Sequence, residues 1–387
     1  MTVLHRDAVE DNKATSFGNA GVLAACSVAP VTAPGLVRKG PKLLMDPNFP
    51  LFMRWSYLPR LLPWLVKYLS HANDADTRRI AAGLAPLTTD SVEQHQQLTK
   101  GGAAEKSLRL SDYAFAYPDR ASFIADSYTW KLRKEFGFEP DVIENQAVRE
   151  REPALSDRYN CLAVVKDHGF LNNPSAYLSA LAEDAKRVGV SFQQETVVDF
   201  ELVEGRVAAV VTENRTFPCE FAVLASGVWS KTLLKKVGLK VPLESERGYH
   251  LHIKDPGSAP NIPLMITTGK FVATPMSDGL RCAGVVEFGG LNAGPSKAPL
   301  ALLRKFVGDA FPDIKLENVT EWLGHRPAPS DSLPLIGEVQ NTGLFVGFGH
   351  HHIGMTAGPK TGKIIAGLIS GKRENLDLSP YRPERFA

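Results

Sequence analysis

Three consecutive histidines, His350, His351 and His352, lie in GFGHHHIGMTAGPKTGKIIAGLISG, where a strand runs through a glycine-rich loop into a helix. Such a junction turns backbone N–H groups and the positive helix end toward the loop's occupant, so it can hold an anion. The histidines also invite a metal. Adjacent residues point in different directions, however, and no carboxylate or further histidine follows one helical turn away, so no metal is expected. A second constellation is LGHRPAPSDSLPLIGEV, in which Pro327 and Pro329 stiffen the chain around Arg326. Arg326 is either an exposed arginine covering a turn or a rigidly presented guanidinium that clamps a carboxylate with two charge-assisted hydrogen bonds.

The elements that must position these groups can be read in outline. TVLHR opens the chain as a strand and is followed by a polar loop. Residues 50–100 read as helical with proline punctuation, and 119–136 continue so. NPSAYLSALAEDAKRVG predicts a helix over 173–189, with Asn173 as N-cap, Pro174 at its first position and Gly189 closing it. A strand-rich run follows, with a hairpin turn at Glu204-Gly205 and an apolar strand FAVLAS. A helix between strands implies a crossover, so part of the sheet is parallel. The strands YHLHI, LMITTG, FVATPM and RCAGVVEF suit an antiparallel sheet. The chain then returns through the helix-like PLALLRKFVGDAF, the strand GLFVGFG, the histidine loop and a closing helix.

The 387 residues suffice for two packed domains, and 44% hydrophobic with 22% charged residues excludes disordered and fibrous classes. A formal charge of +2 argues against a nucleic-acid binder. The four cysteines, Cys26, Cys161, Cys219 and Cys282, form no CxxC pair, so a reducing, cytoplasmic setting is expected. No signal peptide is visible, and no uncharged apolar run reaches the ~18 residues of a spanning helix. The nearest is 50–69, PLFMRWSYLPRLLPWLVKYL, which places Phe52, Trp55, Leu58, Leu62 and Leu65 beside Arg54, Arg60 and Lys67. It reads as a core-packed helix or as an interfacial one that sits at the inner face of a membrane.

Six segments, in order, resemble the FAD-dependent amino-acid oxidoreductases: ATSFGNAG at 14–21, FAVLASGVWS at 221–230, ERGYHLHI at 246–253, FVATPMSDGLRCAGVVEFGG at 271–290, GHRPAPSDSLPLIG at 324–337 and GHHHIGMTAGP at 349–359. That family holds D-amino-acid dehydrogenase, D-amino-acid oxidase, glycine/sarcosine oxidase and hydroxyproline dehydrogenase, and the resemblance is closest to the dehydrogenase branch. It implies an α/β fold with a Rossmann-like FAD-binding domain, from residues 1–40, 140–240 and 320–387, and an antiparallel-sheet substrate domain with a helical insertion, from 41–139 and 241–319. The resemblance places Ser16, Asn19, Ala20, Gly21 and Val22 along the flavin, the backbone of Val198 at the adenine, and Ser226, Gly227 and Trp229 beside the cofactor. It places His350, His351, His352, Ile353, Gly354, Met355 and Thr356 under the pyrimidine end of the isoalloxazine. Arg326 falls on the family's carboxylate-binding arginine, and Tyr249 is a pocket residue by resemblance or an ordinary strand tyrosine.

The implied reaction is oxidation of a small amino or imino acid, a D-amino acid or a hydroxyproline-like one, with electrons passed to a quinone or another acceptor. A glycine/sarcosine-type oxidase releasing peroxide is the alternative. One departure stands out. The family begins with a strand, a GxGxxG turn and a helix, and its second strand ends in an acid that holds the ribose. Here no GxGxxG lies near the start, and His5 stands in place of that acid, with Arg6 beside it and Asp7 two residues late. The sequence is therefore expected to be a frame that opens within the family's second strand, lacking the first, and to keep FAD poorly. A flavin-deficient chain with a non-enzymatic or membrane-associated role is the rival reading.

Overall fold

The computed structural model describes residues 1–8, 11–372 and 375–386. Long, buried strands dominate its middle. A ten-stranded sheet runs in the order β16 (Val319–Pro329), β12 (Leu243–Ile253), β15 (Gly279–Phe288), β14 (Phe271–Met276), β13 (Leu264–Ile266), β4 (Leu108–Tyr117), β6 (Cys161–Leu171) and β2 (Val22–Leu23). β3 (Leu51–Met53) adds to β15 and β5 (Asp141–Glu144) to β6. The pairings are antiparallel, as expected for this region, except for two parallel ones, β13 with β4 and β3 with β15. β12 is buried along its whole length. Its polar residues therefore need partners inside the protein.

The face of β12 and β15 that carries Tyr249, Leu251 and Ile253 is covered by the helix α10 (Lys297–Ala310), whose Leu300, Leu303 and Val307 enter the same core. Residues 36–135 supply α1 (Leu36–Met45), α2 (Leu58–Ser70), α3 (Asp74–Thr88), α4 (Ser91–Thr99), α5 (Arg120–Ala125) and α6 (Ser127–Glu135). Only part of 50–69 is helical: β3 holds Phe52, a 3-10 turn holds Trp55, and α2 follows. α2 buries Leu61, Trp64 and Tyr68 against Phe288 and Ala328, with the Trp64 indole N–H donating to the Ala328 carbonyl at 2.9 Å. Leu62, Val66 and Trp55 remain exposed. No helix among the described residues is long and apolar enough to cross a membrane.

The remaining strands build three smaller sheets, two of which contain a parallel pair. β1 (Thr2–His5) runs parallel to β7 (Ser191–Gln194), which follows α7 (Gln146–Arg151) and α8 (Pro174–Arg187). Asn173 caps α8 by accepting from the Ala176 N–H, and Gly189 closes it at a φ of 90°, as its sequence predicts. β8 (Val197–Val203), β9 (Arg206–Thr212) and β10 (Thr216–Pro218) form a meander, with Glu204 and Gly205 both at positive φ in the expected hairpin turn. β11 (Ala222–Leu224), which leads into α9 (Ser230–Lys236), pairs in parallel with β18 (Leu344–Phe348). β17 (Leu335–Glu338) closes the far side of β18. Among the described residues β1 has no strand partner besides β7, and β11 none besides β18. β18 feeds the histidine loop and the last long helix, α11 (Gly354–Ile369).

Candidate active site

Successive side chains of a strand point to opposite faces. In β12 that rule separates Glu246, Gly248 and His250 from Arg247, Tyr249 and Leu251. The antiparallel register with β16 sets Glu246 opposite Arg326 and Gly248 opposite Gly324, so these four share a face. The Arg326 guanidinium lies across Gly248: a Cβ there would stand 2.5 Å from its Cζ and Nη2. Gly248 thus clears the ground on which the arginine rests. Among the described residues no Arg326 nitrogen comes within 4.0 Å of a carboxylate oxygen, and the side chain donates no hydrogen bond. Burial pulls its pKa below the usual arginine value, with Glu246 opposing. An arginine stays charged regardless.

Glu246 is buried, and its Oε2 lies 3.3 Å from His351 Nδ1. Burial works to raise its carboxyl, but His351, Arg326 and His352 outweigh it and hold the pKa down to about 2. His351 takes a φ of 52°, a left-handed value that suits glycine, and its N–H donates to the Pro327 carbonyl at 3.0 Å. That bond ties the histidine loop to the strand of Arg326. Tyr68 of α2 stacks on the His351 ring, 6.3 Å between centroids and 15° from parallel. Arg326 and His352 keep accessible surface although protein surrounds each, as side chains lining an inward recess do.

The three histidines diverge. His350 is buried with Nε2 2.9 Å from Thr361 Oγ1, His351 meets Glu246, and the His351 and His352 rings stand at 90°. Burial lowers His350 and His352 to about 4, the latter helped by His351 and Arg326. No group of three or more His, Cys, Asp or Glu among the described residues could hold a metal ion. α11 begins at Gly354 with no side-chain cap at Ile353. Its first N–H groups, from Gly354 to Thr356, therefore have no partner within the helix.

The loop that carries Ser16, Asn19, Ala20, Gly21 and Val22 is pinned beside this recess. Arg281 Nη1 donates to the carbonyls of Phe17 at 2.7 Å and Asn19 at 3.0 Å, and His250 Nδ1 donates to Gly18 O at 3.1 Å. Asn19 Oδ1 accepts from the Gly21 N–H at 2.8 Å. Gly21, at a φ of 82°, passes so close to β6 that a Cβ would lie 2.6 Å from Leu171 O. Thr356 Oγ1 donates to Val22 O at 3.4 Å, joining this loop to the start of α11.

Ser226 and Gly227 form the exposed turn after β11, and Trp229 packs edge-on against His325, the neighbour of Arg326. Arg6 lies 4.5 Å over the Trp229 ring, while Asp7 is engaged by Arg6 and Lys13. Val198 is the residue skipped in the β8–β9 register, so its backbone is released from that ladder.

Tyr249 belongs elsewhere. It lies on the opposite face of β12 from Arg326, and its hydroxyl donates to Glu287 Oε2 at 2.6 Å and accepts from the Ser296 N–H at 3.1 Å. Alternation along the strand, not distance in sequence, keeps it out of the recess. The residues that motif reading missed are Glu246, Gly248, Arg281 and Tyr68. The period of two in ESERGYHLHI already puts Glu246 and Tyr249 on different faces; what each face meets was not legible.

The chain belongs to the family described as FAD dependent oxidoreductase, whose model matches residues 1–368. Family members are FAD enzymes. The uncapped α11 N-terminus, with the loop of Asn19 to Val22 joined to it through Thr356, could hold a group that carries negative charge, as a reduced flavin ring does. The chain is 38% identical to a D-amino-acid oxidase of Bradyrhizobium diazoefficiens, over 97% of this chain and 90% of that protein. It is 28% identical to a D-amino acid dehydrogenase of Rhizobium rhizogenes, over 96% of this chain and 91% of that one. Among solved structures, glycine oxidase from Geobacillus kaustophilus shares the fold at a TM-score of 0.72 and 20% identity, covering 99% of this chain and 91% of that one.

Proposed function

We propose that this protein oxidises a small amino or imino acid, a D-amino acid or a hydroxyproline-like substrate, with Arg326 binding its carboxylate. The observation that carries this reading is the guanidinium itself, set in a recess with no protein carboxylate on it. Two charge-assisted hydrogen bonds from a planar fork would fix the carboxylate and so aim the substrate's Cα–H. FAD, when bound, supplies the acceptor for the hydride that leaves Cα. The protein's share is to orient the substrate, to exclude water with Tyr68 and α2, and to keep positive potential at the α11 N-terminus. The names of the relatives support an amino-acid substrate.

Electrons would pass to a quinone or a comparable acceptor; the exposed Trp55, Leu62 and Val66 beside Arg60 and Lys67 support an inner-face, peripheral membrane location. A second reading, direct transfer to dioxygen with release of peroxide, is favoured by the oxidase name of the 38% identical relative. The test is to supply FAD and a panel of D- and L-amino acids and hydroxyprolines, and to compare dye reduction with peroxide release. Dye reduction well ahead of peroxide supports the first reading. Peroxide matched to substrate loss supports the second, and no turnover of any amino or imino acid removes both.

A further inference from the structure

Two opposite charges stand directly across the β12–β16 ladder on one face, Glu246 and Arg326, and they do not touch. Cross-strand partners of this kind have Cα atoms about 4.5–5.5 Å apart, and opposite charges so placed normally bridge. Here each is held away from the other. The guanidinium reaches two residues along the ladder and rests over Gly248. The carboxylate is drawn the other way, toward His351, which keeps a left-handed backbone to meet it. Apart from His351, no side chain among the described residues pairs with Glu246, and none pairs with Arg326. Glu246 is buried and Arg326 half-buried, and withdrawing ions from water without a full set of partners is costly, so an arrangement that keeps the two apart is explained by a ligand that meets both.

We infer that Glu246 is the ammonium-recognition group of this site, and that with Arg326 it selects a zwitterion over a simple carboxylate or a hydroxy acid. In an α-amino acid the ammonium and the carboxylate are borne on one carbon, so a single ligand can meet Glu246 and the guanidinium over Gly248, which lie on one face of the ladder. The inference rests on the proposed function and deepens it. Burial adds weight: inside protein a hydroxyl offers Glu246 no charge, whereas an ammonium offers charge and donors together. His351 orients the carboxylate and is a positioning residue.

The experiment titrates the full chain calorimetrically with D-alanine, D-lactate and propionate, which share a carboxylate and differ at the α substituent. The wild type is expected to bind D-alanine roughly 10- to 100-fold more tightly than the other two, the worth of one charged hydrogen bond. Glu246→Gln should lose that preference while keeping its affinity for propionate. Glu246→Asp, which keeps the charge, should retain part of the preference and serves if the glutamine variant does not fold. Arg326→Ala should lose all three ligands. A preference for D-alanine unchanged in Glu246→Gln, with binding still dependent on Arg326, would overturn this inference and leave the proposed function intact. Absence of all three ligands from the wild type would remove the amino-acid reading, and this inference with it.

Discussion

Gly248→Ala is the sharpest perturbation of the site because it touches Arg326 without removing it. The new Cβ would lie 2.5 Å from the guanidinium Cζ and Nη2 and 2.9 Å from Nε. Ordinary contact is about 3.5–4.0 Å between carbons, so the guanidinium must move by about 1 Å or more. It is the far end of a flexible side chain, and Gly248 carries no positive φ, so the fold should absorb the change. Alanine in place of a strand glycine even recovers about 0.5–1 kcal/mol of backbone entropy. Recognition should suffer instead: a misplacement of about 1 Å costs up to about 100-fold, near 2.7 kcal/mol.

The assay pairs a thermal melt with titration of propionate, followed by calorimetry. An unchanged or slightly raised Tm with a large loss of affinity is expected. Arg326→Ala should lose roughly 2–5 kcal/mol of carboxylate binding, and Arg326→Lys should fall between it and the wild type, since an ammonium keeps the charge but not the planar fork. Wild-type propionate affinity in Gly248→Ala would refute the reasoning, because the carboxylate would then be held by something other than the guanidinium over residue 248.

The protein should lose stability in mild acid. Burial lowers His95, His325 and His350 to about 4 and His250 to about 3, the His325 and His250 values helped by neighbouring arginines. Each therefore folds as the neutral imidazole. Their contribution is complete above the unfolded value near 6.5 and is lost as pH falls from there toward 4. A Tm that drops by at least about 5 °C between pH 7 and pH 5 is expected, and a flat profile would contradict it. Arg281→Met should leave the Phe17 and Asn19 carbonyls without their donor, costing about 1–3 kcal/mol and freeing the loop. Faster hydrogen exchange confined to residues 17–22 would support this, and unchanged exchange there would show that His250 and Asn19 hold the loop alone.

What could be read along the chain was local. The helix from Pro174, its Asn173 cap and the Glu204-Gly205 turn depend on contacts within a few residues, and those are written in the types at fixed spacing. The order of motifs likewise carried the family, because it needs no geometry. The divergence of neighbouring histidines is local in the same way: the His351 and His352 rings stand at 90° because adjacent residues point apart.

The site itself needed the third dimension. Glu246 and Arg326 are eighty positions apart, and only the β12–β16 register brings them opposite each other. A shift of that register by one residue would set Arg326 on Tyr249's face instead; in the register observed, the Tyr249 hydroxyl donates to Glu287. Gly248 was an unremarked glycine until the guanidinium was seen lying across it. Periodicity decides which side chains share a face of one strand, but the partner strand decides what they meet there. That choice is made by packing over the whole sheet, and no spacing within a single segment records it.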